Sequence, residues 1–206
     1  HDEDKDHDGH GHDEDKDHDG HGHDEDKDHD GHGHEEHHHG EYDAHIWLDP
    51  FNAKEMIHEI AHELSGLDPA NADKYNQNAD KTILAINKMV KKINENINKN
   101  AKFIVFHDAY QYFEKRFGIS TAGALTLNTD VLPGAKQISE IHEVISSKEI
   151  KCIFSEPQFN PKIIETIAKD TGIKTGELDP LGSTFDANKS QYFKLINDLG
   201  NKLNDC

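Results

Sequence analysis

Residues 1–33 are a single eleven-residue unit, HDEDKDHDGHG, repeated three times, and HEEHHHGEYDA follows. No side chain before Tyr42 can join an apolar core. A segment that buries nothing cannot offset the ~1–2 kcal/mol that ordering each backbone unit costs. This stretch is therefore expected to be disordered without ligand, and any fold must be built from the remainder. Charge divides at the same place. Residues 1–44 hold 19 Asp/Glu, 3 Lys and 13 of the 18 His, a net of −16; the other 162 residues hold 22 acids and 19 bases, a net of −3. An acidic, His-loaded tail thus joins a nearly neutral domain. Without clustered Lys/Arg the chain is not a nucleic-acid binder working by phosphate neutralisation. No apolar run approaches the ~18 residues of a membrane span. The first residue already stands inside the repeat, with no Met and no signal-peptide core, so the chain reads as an excerpt or processed piece.

Beyond Tyr42 the pattern changes. HIWL (45–48) reads as a short strand. Asp49-Pro50 is an N-cap followed by Pro at the first helical position, and Phe51, Ile57, Ile60 and Leu64 form a helical stripe that Gly66 ends. Asp68-Pro69 repeats the start signal. The next helix is expected over 70–98, where Ala79, Ile83, Ile86, Val90, Ile93 and Ile97 recur at spacings of three and four. Short β-rich runs then alternate with helices. Phe103 to Phe106 is a wholly apolar strand. A helix over 108–117 starts at a capping box of Asp108 and Gln111 and stops at Gly118. A strand over 119–124 comes next, then a loop over 126–134 and a helix over 135–147. Cys152-Ile153-Phe154 is a strand, Asn160-Pro161 opens a helix that Gly172 ends, 174–178 is a strand, and 190–204 is the last helix. Apolar strands separated by helices predict a parallel sheet covered on both faces. The fold class is therefore α/β: a three-layer lobe with a parallel sheet, preceded by one long helix and a disordered His/Asp-rich segment.

In such sheets ligands bind at the carboxyl ends of the strands. His107 follows FIVF, Ser155-Glu156 follows CIF, and Asp179 follows GEL. His45 reaches the same edge if the chain returns there. Imidazoles from His45 and His107 with the Asp179 carboxylate would suit a borderline metal. Each has a plainer structural reading, and an Asp before Pro is usually a turn residue. His58-Glu59-Ile60-Ala61-His62 has the letters of a metalloprotease helix, but that chemistry needs a third ligand and a water-accessible glutamate; an exposed helical face is the favoured reading. His142 is read as a partly exposed helix position. Thirteen imidazoles among carboxylates and glycines give the tail the composition of a labile Zn²⁺, Cu²⁺ or Ni²⁺ binder.

HIWLDP, FHDAYQYFEKRFG, CIFSEPQF and ELDPLG together resemble the periplasmic zinc-binding protein of bacterial ABC-type zinc importers, the ZnuA family. A His/Asp/Glu-rich loop before the H-x-W-L segment is typical of that family, and the resemblance covers residues 41–206. It implies two α/β lobes joined by a long rigid helix with the metal clamped between them. Residues 1–44 would then be the His/Asp-rich metal-binding loop, 45–69 a remnant of the amino-terminal lobe, 70–99 the linking helix, and 100–206 the carboxyl-terminal lobe. The rest of the amino-terminal lobe, with a further His ligand, is missing before the tail. The resemblance carries the metal-ligand role onto His45 and His107. Related manganese binders have a carboxylate where His107 stands, so nitrogen there points to Zn²⁺. Asp179 matches a carboxylate that ligates in manganese members and is weaker or optional in zinc members.

The resemblance also implies a non-enzymatic, monomeric protein of the Gram-negative periplasm that delivers Zn²⁺ to a membrane permease. That compartment is oxidising, so Cys152 and Cys206 are expected to form a disulfide, pinning the last helix to the sheet at a gain of about 4 kcal/mol by loop entropy. Three rivals stand beside this reading: a general metal buffer acting through the tail, a manganese-binding member of the family, and a zinc hydrolase using HEIAH.

Overall fold

The computed structural model describes residues 43–126 and 133–206; the repeat segment, its expected disorder and most of the 126–134 loop lie outside the described residues. After a 3₁₀ turn at Ile46–Leu48, two helices, α1 (Pro50–Leu67) and α2 (Ala72–Asn96), pack side by side around a second 3₁₀ turn at Pro69–Asn71. The order thereafter is β1 (Phe103–His107), α3 (Gln111–Phe117), β2 (Ala124–Thr126), α4 (Ala135–Ser147), β3 (Cys152–Ser155), α5 (Lys162–Thr171), β4 (Lys174–Glu177) and α6 (Gln191–Asn204). Among the described residues no helix is long and apolar enough to cross a membrane.

The four strands are all parallel, in the order β2-β1-β3-β4. FIVF is apolar throughout because it is buried on both faces. Phe103 and Val105 meet the layer containing α2 and α6, while Ile104 and Phe106 meet the layer containing α4 and α5. The expected three-layer α/β lobe is thus the observed one. In α2, which rises about 37 Å at 1.5 Å per residue, Ala79, Ile86, Val90 and Ile93 are buried. Gly118 and Gly172 end α3 and α5 in the left-handed conformation, φ 65° and 74°, where a Cβ would be strained. Cys152 on β3 and Cys206 after α6 are joined by a disulfide with Cα atoms 5.7 Å apart.

Several local expectations are corrected. HIWL is not a strand: Ile46–Leu48 is a 3₁₀ turn held from far along the chain. The Trp47 indole donates to Pro180 O at 2.8 Å, and the Tyr192 hydroxyl donates to Trp47 O at 3.0 Å. Gly66 does not end α1, which runs to Leu67. The third helix starts at Gln111, without the Asp108 capping box. The strand expected over 119–124 lies instead at Ala124–Thr126. The Thr121 hydroxyl donates to Phe103 O and to Gly123 O, so the chain turns there, and the ladder with β1 begins at Val105↔Ala124.

Candidate metal centre

The strand order creates one topological switch point. From β1 the chain crosses to β2 on one side, then returns past β1 to lay down β3 on the other. The carboxyl ends of β1 and β3 therefore flank a crevice, the usual ligand position in an open parallel sheet. His107 is the last residue of β1, and Glu156 follows the last residue of β3. The turn carrying His45 is brought to this edge by the Trp47 and Tyr192 bonds and by the Tyr112 hydroxyl, which donates to Asp43 O at 3.3 Å.

His45 and His107 meet there, with ring centroids 5.0 Å apart and planes 68° to each other. Both side chains are mostly buried, 20 % and 16 % exposed. Each faces a carboxylate through Nδ1. His45 Nδ1 lies 2.7 Å from Asp43 Oδ1, which also accepts the His45 backbone N–H at 2.9 Å. His107 Nδ1 lies 3.8 Å from Glu156 Oε2, a charge contact rather than a hydrogen bond. Glu156 is buried and accepts the Tyr110 hydroxyl at 3.2 Å. Burial first, and then the Glu156 carboxylate, push Tyr110 well above the usual phenol range, so it stays a neutral donor. At His45 the carboxylate bonded at Nδ1 keeps the proton there and leaves the Nε2 lone pair for a ligand, while at His107 the Glu156 charge faces Nδ1 without bonding it.

Asp179 is placed differently. Its Oδ1 accepts Gln158 Nε2 at 2.7 Å and Leu181 N–H at 3.1 Å; its Oδ2 accepts the Ser183 hydroxyl at 2.9 Å and Thr184 N–H at 3.1 Å. Burial raises this carboxyl, but those donors outweigh it and hold it below the usual carboxylate range. Among the described residues, no three His, Cys, Asp or Glu side chains gather into a ready-made metal cage. His58 and His62 lie exposed on α1, and among the described residues no third ligand for a metalloprotease site joins them. His142 lies on α4, partly buried. Asp43 and Tyr110 were not singled out from sequence; the Asp-x-His spacing was the one local signal for Asp43.

The arrangement can offer two nitrogen donors to one borderline cation. Imidazoles bound at ~2.0–2.1 Å to a tetrahedral ion hold their centroids about 5 Å apart, the separation seen here. A doubly wound α/β lobe with paired imidazoles at its switch point has the layout of a cation-binding lobe.

A family model described as "Zinc-uptake complex component A periplasmic" matches residues 3–206, and the chain belongs to this family, ZnuA. The family is one of periplasmic solute-binding proteins, which is not an enzyme class. The high-affinity zinc uptake system protein ZnuA of Brucella abortus is 44 % identical over 169 residues, 81 % of this chain and 51 % of that protein. A mutant structure of the laminin-binding adhesin of Streptococcus agalactiae superposes with TM-score 0.69 and 30 % identity, covering 79 % of this chain and 63 % of that one. A Zn(II)-bound mutant variant of AdcAII from Streptococcus pneumoniae gives TM-score 0.65 and 30 % identity, over 79 % of this chain and 61 % of that one. The chain spans about half the length of the curated relatives it matches.

Proposed function

We propose that this chain captures Zn²⁺ at His45 and His107 and serves as the solute-binding component of an ABC-type zinc importer. It works in the periplasm of a Gram-negative cell, as a monomer and without catalysis, and passes the ion to the membrane permease. The observation that carries the reading is the 5.0 Å separation of the two rings with a carboxylate at each Nδ1. Family membership supports zinc as the cargo, as does the zinc named in the relatives' descriptions. Nitrogen donors favour zinc over manganese, which suits carboxylate and water. Two imidazoles are half of a tetrahedral shell, so the other donors come from water, from a carboxylate such as Asp179 after it leaves its turn, or from further chain. In the same reading 1–44 is a metal-gathering loop, 45–69 belongs to the amino-terminal lobe, 70–99 links the lobes and 100–206 is the carboxyl-terminal lobe.

Ring-resolved NMR of the full chain tests it. Zn²⁺ should shift the His45 and His107 ring signals, with Nε2 as the bound nitrogen, and leave His142 unmoved. His45 and His107 rings that stay unmoved while the tail imidazoles shift would overturn the cleft reading in favour of a tail-based metal buffer.

A further inference from the structure

We infer that His58 and His62 form a second, open chelate for a borderline divalent cation on the solvent face of α1, apart from the His45–His107 crevice. The two residues are four apart in the middle of a helix that runs unbroken from Pro50 to Leu67. Residues at that spacing stand about 40° apart around the axis, one turn above the other, with Cβ atoms ~5–6 Å apart. Two imidazoles so placed can close on one ion without moving the backbone.

The surroundings leave these rings free for this. Both are exposed, and neither has a protein partner among the described residues. The buried residues of α1 are Pro50, Ala53 and Ala61, and neither histidine is among them. Glu55, Glu59 and Glu63 lie within a turn of the pair. Lys54, the only lysine or arginine of α1, is engaged elsewhere: its ammonium donates to Asn87 Oδ1 at 3.1 Å and lies 3.7 Å from the centre of the Phe51 ring. The local field therefore attracts a cation, and Glu55 or Glu59 can add an oxygen donor.

Nitrogen donors with carboxylate neighbours select Zn²⁺, Cu²⁺ or Ni²⁺ over Mg²⁺ or Ca²⁺. With no third ligand preassembled among the described residues, water completes the shell. The site is therefore weaker and faster-exchanging than a closed one.

Carbethoxylation of histidine in the full chain, read peptide by peptide by mass spectrometry, tests this directly. Zn²⁺ is added beyond what the thirteen tail imidazoles take up. Modification of His58 and His62 should slow about tenfold once free Zn²⁺ exceeds the site's dissociation constant by about tenfold, with His142 as the unprotected reference. In His58→Ala the protection of His62 should vanish, because one imidazole alone does not chelate. Mg²⁺ should protect neither. Unslowed modification of His58 and His62, or His62 still protected in His58→Ala, would overturn the inference.

Discussion

Arg116 on α3 forks onto Asp49, with Nε 2.6 Å from Oδ1 and Nη2 2.7 Å from Oδ2. The same Asp49 Oδ1 accepts Phe51 N–H at 2.8 Å and so caps α1. The guanidinium also lies 3.5 Å from the centre of the Phe51 ring. One carboxylate therefore starts α1, follows the turn that carries His45, and ties both to the helix that comes after His107.

Removing this fork should cost stability and disturb the crevice together. Arg116→Ala leaves a largely buried carboxylate with only its capping bond, at a cost of about 2 kcal/mol. Urea unfolding should show a lower midpoint, and Arg116→Lys should recover only part because it lacks the two-pronged geometry. An unchanged midpoint for Arg116→Ala would mean the fork is not a structural tie.

Glu114 predicts a pH dependence. Burial, reinforced by the Asp108 charge and only partly offset by the Thr121 N–H, pushes its carboxyl up to about 7. Its Oε1 and the nearby Gln111 Nε2 are buried without partners among the described residues. The folded state then binds the proton more tightly than the unfolded state. Below the unfolded pKa both states are protonated and the group is neutral for stability. As pH rises from there through about 7, stability falls by up to roughly 3 kcal/mol. Glu114→Gln should therefore be more stable than the parent at pH 8 and nearly equal at pH 4. Equal stability at both would place the charge in water.

The Cys152–Cys206 bridge closes a span of 54 residues and fastens the end of α6 to β3. On the loop-entropy account its reduction costs about 4 kcal/mol. Mass analysis of unreduced protein should find a linked pair of peptides and no alkylated thiol, and reduction should lower the thermal midpoint. Two freely alkylated cysteines in folded protein would remove the bridge from the account.

The sheet was legible because FIVF and CIF are apolar throughout, as only strands covered on both faces need be. The place of His107 at the carboxyl edge of the sheet was legible because it ends such a strand. The turn at 46–48 was not. Ile, Trp and Leu have strand-like propensity, and what bends them is the Pro180 carbonyl and the Tyr192 hydroxyl, more than 130 residues away. Asp179 illustrates a conflict between levels. Its position after a strand suggests a ligand, while Asp-Pro-Leu-Gly-Ser-Thr suggests a turn, and backbone and hydroxyl donors of that turn occupy the carboxylate in this structure. That Glu156 backs His107 depended on strand order, which periodicity does not reveal.

Glu156→Gln keeps the shape and the Tyr110 bond but removes the charge beside His107. Zinc binding in the crevice should weaken by about 10–100-fold, as for other outer-shell carboxylates, with little change in unfolding midpoint. Unaltered affinity would assign Glu156 to structure alone.

The most direct test is zinc affinity, measured against a competing chelator, in a chain shortened to begin at residue 41 so that the tail imidazoles are gone. There His107→Ala and His45→Ala should each weaken binding by at least about tenfold, the lower bound set by the loss of a mere outer-shell partner, while His58→Ala leaves the tightest site unchanged. Wild-type affinity in the His107→Ala chain would contradict the crevice as the zinc site.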